Sequence, residues 1–232
     1  MEIIKKFLKY FTCFEKILWS TSVVFIVLSF VLFGGQGYMT LAASLVGVTS
    51  LIFIAKGNPF GQVLMIIFGS LYGIISFSFA YYGEMITYMG MSVPMAVVSL
   101  ISWLRNPYKG NKSVVKVNRI GKKETGFLVL LTIAVTAVFF FLLDRLGTAN
   151  LLPSTVSVTT SFAAAYLTAR RSPFYALLYA FNDVVLILLW VLAAFRDFSY
   201  ISVIICFAVF LVNDLYGFIS WMKMEKLQGS RD

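Results

Sequence analysis

Eight apolar stretches separated by short polar breaks run along the chain, at residues 17–33, 40–55, 60–82, 86–103, 126–143, 152–169, 173–195 and 200–222. Each reaches, or falls just short of, the roughly 17 to 25 residues that cross a bilayer as a helix. The pattern therefore predicts an all-α integral membrane protein with eight transmembrane helices. Two of the stretches break their apolar run in the same way. Asn182-Asp183 sits near the middle of one and Asn213-Asp214 near the middle of the other, and in each a Trp (Trp190, Trp221) follows the Asp by seven residues. Seven residues are close to two helical turns, so each Asp shares a helix face with its Trp. An Asp at the centre of a membrane helix costs roughly 2.5 to 3.5 kcal/mol on insertion scales, so it turns to a cavity or a partner rather than to lipid.

Charge then orients the spans. With the N-terminus in the cytoplasm, every one of the 19 Lys and Arg residues except Arg145 and Arg196 falls in a cytoplasmic segment, and those two stand beside Asp144 and Asp197. Both termini are expected in the cytoplasm. The net charge of +9 is thus explained by orientation, and no nucleic-acid partner is called for. The first sixteen residues, with Lys5, Lys6, Lys9 and Lys16 among aromatics and aliphatics, suit either a short amphipathic helix on the membrane surface or an ordinary basic flank. The basic loop from Arg105 to Lys123 reads as a solvated cytoplasmic linker, with contact to anionic lipid heads as the alternative. The run from Ile17 is too long for the apolar region of a signal peptide, and no A-x-A-like site follows it. At 60% hydrophobic residues and a mean hydropathy of +0.89, the chain lies far outside the soluble range.

An internal repeat underlies the eight spans. LVGVTSLIFIAKGNPF, from Leu45 to Phe60, lies without gaps over TTSFAAAYLTARRSPF, from Thr159 to Phe174, placing Lys56 over Arg170 and Pro59-Phe60 over Pro173-Phe174. Each unit continues with a long helix, a short outer loop and a third helix ending Ser-Trp-x-basic, at Ser102-Trp103 and Ser220-Trp221. Three spans begin and end on opposite sides, so two directly joined units would be inverted; the span at 126–143 restores the second to the orientation of the first. The expected organisation is residues 1–39, an N-terminal segment and extra helix; 40–104, a first three-helix bundle; 105–151, the basic loop and a linker helix; 152–222, a second bundle; and 223–232, a cytoplasmic tail. Such a 3+1+3 core of parallel repeats is a transporter pattern.

The interior faces carry the candidate chemistry. Tyr175, Tyr179, Asn182, Asp183, Leu186 and Trp190 form one stripe at helical spacing, and the last helix presents Asn213, Asp214, Phe218 and Trp221. At about 1.5 Å per residue, both acids lie roughly 12 to 15 Å from the cytoplasmic helix ends, near the midplane. In the first unit Gln62, Gly69, Tyr72 and Ser76 share an uncharged face, with Tyr72 closest to the midplane. Pro94 is expected to kink its helix. The hydroxyls at Ser154, Ser157 and Ser161 read as helix packing, and Trp19, Trp103 and Trp221 stand where interfacial belts recruit Trp. The chain has no His, and Cys13 and Cys206 show no metal-site or disulfide spacing, so neither metal nor cofactor is expected. Amide and carboxylate groups beside Tyr and Trp faces suit a small, hydroxylated, aromatic solute, above all a cation.

The segments YALLYAFNDVVLILLW, LVNDLYGFISWMK and YGEMITYMGMSVPMAVVSLISWLRN are similar to those of the PnuC-type vitamin transporters, bacterial proteins for nicotinamide riboside, from about Gly37 to Met222. The resemblance implies a 3+1+3 bundle related to the SWEET sugar carriers, a homotrimer in the bacterial inner membrane, and a facilitator whose substrate is trapped by phosphorylation inside the cell. The W-x-x-W element of that family stands here as Phe218-Ile219-Ser220-Trp221, which leaves thiamine and riboflavin carriage open. Proton coupling through Asp183 or Asp214 is the other transport reading, and an intramembrane enzyme with the two acids as a catalytic dyad is the alternative of a different class.

Overall fold

The computed structural model describes residues 10–33, 37–78, 82–148 and 150–229; the amphipathic segment expected at the N-terminus lies, up to residue 9, outside them. Eight long helices follow one another: α1 (Cys13–Phe33), α2 (Tyr38–Ala55), α3 (Phe60–Ser78), α4 (Tyr82–Arg105), α5 (Lys122–Arg145), α6 (Leu151–Ala169), α7 (Phe174–Ala194) and α8 (Ile201–Gly229). Seven of these described helices are long and apolar enough to cross a membrane. The exception is α6, whose Ser and Thr residues lower its hydropathy; it is packed among α4, α5 and α7. Helices α2, α3, α4, α6, α7 and α8 follow one another around a closed ring, with α8 returning to α2. Outside the ring, α1 lies against α2 and α8, and α5 against α6.

Three local features differ from the sequence expectation. The apolar run expected at 60–82 belongs to two described helices, α3 over Phe60–Ser78 and α4 from Tyr82. Pro94 does not simply kink its helix, because the backbone widens into a π-helical turn over Tyr88–Ser92 just before it. A prolyl nitrogen donates no hydrogen bond and its ring crowds the preceding turn, and a π turn absorbs both defects. Third, the loop after α4, largely exposed as expected, also docks onto the helices. Strands β1 (Pro107–Tyr108) and β2 (Asn111–Val115) form a hairpin that ends in a fully buried Val115. The Val115 N–H donates to the Gly57 carbonyl at 2.9 Å, the Asn118 N–H to that of Arg171 at 3.0 Å, and the Gln228 side chain clasps Val115 and Val117 from α8.

Where α2 and α6 end, residues aligned in the sequence share one backbone geometry. Gly57 and Arg171, aligned in sequence, both adopt left-handed backbone, with φ of 65° and 61°. Gly57 N–H donates to Ile54 and Asn58 N–H to Phe53; Arg171 N–H donates to Thr168 and Ser172 N–H to Leu167. These are the crossed bonds that close a helix C-terminus on a left-handed residue. The aligned basic residues behave alike as well: Lys56 pairs with Glu15 in the first turn of α1, and Arg170 makes a two-pronged pair with Glu124 in the first turn of α5.

Trp103 and Trp221 are neither interfacial nor exposed, at 1% and 0% accessibility. Trp103 Nε1 donates to the Thr168 carbonyl and Trp221 Nε1 to that of Ile54, each at 2.8 Å. Each unit therefore pins its terminal Trp to the aligned carbonyl of the other unit, and the two indole rings meet at 5.3 Å.

Candidate functional site

Helix α7 sorts its residues into two faces. Phe174, Leu177, Phe181, Val184 and Leu188 recur every three or four positions and are exposed, an apolar stripe fit for lipid. The opposite face holds Asn182 and Asp183, buried at 6% and 4% accessibility, with Asp214 of α8 at 5%. The ring encloses a cavity of about 780 Å³ that these groups line.

Of the ten residues singled out in the sequence, seven line this cavity: Gln62, Tyr72, Tyr179, Asn182, Asp183, Trp190 and Asp214. Asp183 and Asp214 both line the cavity and are close enough to influence each other electrostatically. Asp183 Oδ2 and the Gln62 amide nitrogen are buried without a partner among the described residues. Asn182 is fixed from α6, whose Ser157 and Thr160 hydroxyls donate to its Oδ1 at 3.0 and 2.8 Å. No described residue accepts from its amide nitrogen, so the side chain is oriented and still has donors to offer. Trp190 packs its ring 5.2 Å from that of Tyr200, and Tyr72 lies between Phe68 and Tyr88, at 4.8 and 5.2 Å.

The other three stand elsewhere. Asn213 turns to α1, donating to Ser22 Oγ at 3.0 Å and to the Val209 carbonyl. Trp221 is held under the cavity by Ile54 and packs against Tyr175 at 5.1 Å. Phe218 is half-buried and faces Phe174, with ring centres 6.0 Å apart. None of the three lines the cavity.

Residues 37–223 match the model of a family described as nicotinamide mononucleotide transporter, a span that runs from the start of the ring in α2 as far as Lys223 in α8. The chain belongs to the nicotinamide mononucleotide transporter family. Within it, the nicotinamide riboside transporter PnuC of Neisseria mucosa is 25% identical over 84% of this chain and 75% of that protein. The one from Haemophilus influenzae is 21% identical over 82% of each. A crystal structure of a vitamin B3 transporter PnuC superposes with a TM-score of 0.81 at 24% identity, covering 94% of both chains, and so shares the fold.

This family member also brings into its cavity residues that sequence reasoning passed over. Glu84 lines it, yet the apolar count began its span at residue 86 and left that acid in a loop; the helix in fact begins at Tyr82. Tyr88 lines it from the π turn, where ordinary helical spacing no longer tells which way a side chain faces. Ser154, Ser157 and Ser161 line it as well, and of these Ser157 also makes the packing bond expected of it, to Asn182. A charge so near an apolar run was the available signal for Glu84; Tyr88 had none.

Proposed function

We propose that this membrane transporter is a facilitator for nicotinamide riboside, importing it by alternating access. The observation that carries the reading is the set of hydrogen-bonding groups without partners, Gln62 Nε2 and Asp183 Oδ2, that are buried in a cavity lined by Tyr and Trp. Buried polar atoms are ordinarily paired, so a ligand carrying both donors and acceptors completes the site. Relatives named nicotinamide riboside transporter support the vitamin. Charge supports the riboside over its mononucleotide. Among the described residues lining the cavity Arg196 is the only Lys or Arg, against Glu84, Asp183, Asp197 and Asp214; a phosphate there would be buried among acids. A positively charged pyridinium ring beside the Asp183–Asp214 pair meets the opposite condition.

In this reading residues 40–104 and 152–222 form two parallel three-helix units, with α5 as linker and α1 as the extra helix, and they rock about the central cavity. The aligned turns, the aligned ion pairs and the reciprocal Trp pins support that arrangement. Distribution of Lys and Arg supports a cytoplasmic position for both termini. We further propose residence in the bacterial inner membrane, assembly as a homotrimer, and trapping of the imported riboside by phosphorylation. Uptake of labelled riboside into cells unable to make it tests the site: Asn182→Ala and Asp214→Ala are expected to abolish uptake with the protein still in the membrane. Normal uptake by both would overturn the assignment.

Two acids, Asp183 and Asp214, lining one cavity favour a second reading, in which the pair carries a proton with the solute. Collapsing the proton gradient would then abolish accumulation in a strain that cannot phosphorylate the riboside; facilitation leaves equilibration in that strain unchanged.

A further inference from the structure

Four described carboxyl groups line the cavity, those of Glu84, Asp183, Asp197 and Asp214. Asp183 and Asp214 influence each other electrostatically, and Asp197 caps the short turn Phe198–Tyr200 by accepting from the Ser199 N–H at 2.9 Å. Among the described residues Glu84 has one long bond, from the Ser76 hydroxyl at 3.4 Å. It stands near the start of α4, one residue from Gly83, whose surroundings are Thr148 and Leu143 at the ring end opposite the basic hairpin. Below it Tyr72 and Tyr88 place their ring centres 5.2 Å apart. Tyr88 lies within electrostatic range of both Glu84 and Asp183, so the two rings bridge the vestibule acid and the midplane pair.

We infer that Glu84, with the adjacent Tyr72–Tyr88 ring pair, forms a vestibule station that selects positively charged aromatic solutes before they reach the midplane site. A cation beside a carboxyl group favours its charged form, and a planar cation gains further from an aromatic face. In the Asp183–Asp214 pair each acid influences the other, so it discriminates charge less sharply than a lone carboxylate. Station and pair together give the solute a negative path from the mouth to the midplane. The inference rests on the riboside reading above.

The test compares two forms of one solute on the detergent-purified full-length protein: nicotinamide riboside, which is a cation, and its uncharged 1,4-dihydro form. Calorimetric binding of the riboside by the wild type tests the substrate reading; its preference for the cation over the neutral form tests the station. We expect the wild type to prefer the cation by about tenfold, equivalent to about 1.4 kcal/mol. Glu84→Gln should lose most of that preference by weakening only cation binding, and Glu84→Asp should retain most of it. Binding of the neutral form by each variant reports that it is folded. A wild type that binds the riboside yet shows no preference overturns the station and leaves the substrate reading standing, and this result needs no variant. An equal loss of both forms in Glu84→Gln, or an unchanged preference, overturns it too.

Discussion

An α-helix turns about 100° per residue, so adjacent residues such as Asn213 and Asp214 can meet different neighbours. Asp214 reaches the cavity while Asn213 bonds Ser22 of α1, and the difference separates their expected phenotypes. Asn213→Leu removes a hydrogen bond between helices, worth on average about 0.6 kcal/mol inside a membrane. It should lower thermal stability slightly and leave the KM for uptake near that of the wild type; a loss of uptake equal to that of Asp214→Ala would place Asn213 in the site after all. Trp221→Phe keeps the ring and leaves the Ile54 carbonyl with one donor fewer. A fall of about 1 to 3 kcal/mol in stability is expected, measurable by thermal denaturation, with substrate affinity retained. The stripe Tyr179, Asn182, Asp183, Trp190 was legible because it depends only on helical period. What separates Asn213 from Asp214, and Trp221 from Trp190, is which neighbouring helix each one meets, and one helix's own sequence does not contain that.

At the scale of elements, the turns after α2 and α6 have one geometry built from different residues. Glycine suits left-handed backbone, whereas Arg171 occupies it with a side chain and has its Nε buried without a partner among the described residues. Gly57→Ala is therefore expected to destabilise by about 1 to 2 kcal/mol from backbone strain, and more because an added Cβ would meet Met224 and Val115 at 3.1 to 3.2 Å. Arg171→Gly, at the equivalent position, should raise the melting temperature; a fall would mean that its side chain holds more than the backbone strain costs. Pro94 offers a functional counterpart. With Pro94→Ala the π turn at Tyr88–Ser92 loses its cause and α4 can close into a regular helix. That rotates Tyr88 relative to Tyr72, so transport should slow while membrane insertion is unchanged. The presence of all eight helices could be read from the apolar runs, but the π turn at Tyr88–Ser92 could not. It arises where the backbone accommodates Pro94.

For the whole molecule, the aligned pairs Lys56–Glu15 and Arg170–Glu124 give the extra helices α1 and α5 the same relation to the units that follow them. The hairpin after α4 then touches both aligned turns, at Gly57 and at Arg171. Sequence reasoning found the repeat through its Pro-Phe and basic positions, but read this loop as solvent-facing, because its charges conceal the burial of Val115. On the basic face the ring is held together by the two Trp hydrogen bonds and the hairpin, and the cavity it surrounds is lined by unpartnered polar groups. The most direct measurement is a thermal-shift titration of the purified protein and its Asn182→Ala variant with nicotinamide riboside, thiamine and riboflavin, since a ligand that binds only the folded state raises stability as RT ln(1 + [L]/Kd). We expect stabilisation of the wild type by nicotinamide riboside alone, lost in Asn182→Ala. Stabilisation by thiamine or riboflavin instead, or an undiminished response in the variant, would contradict the assignment of this cavity to the riboside.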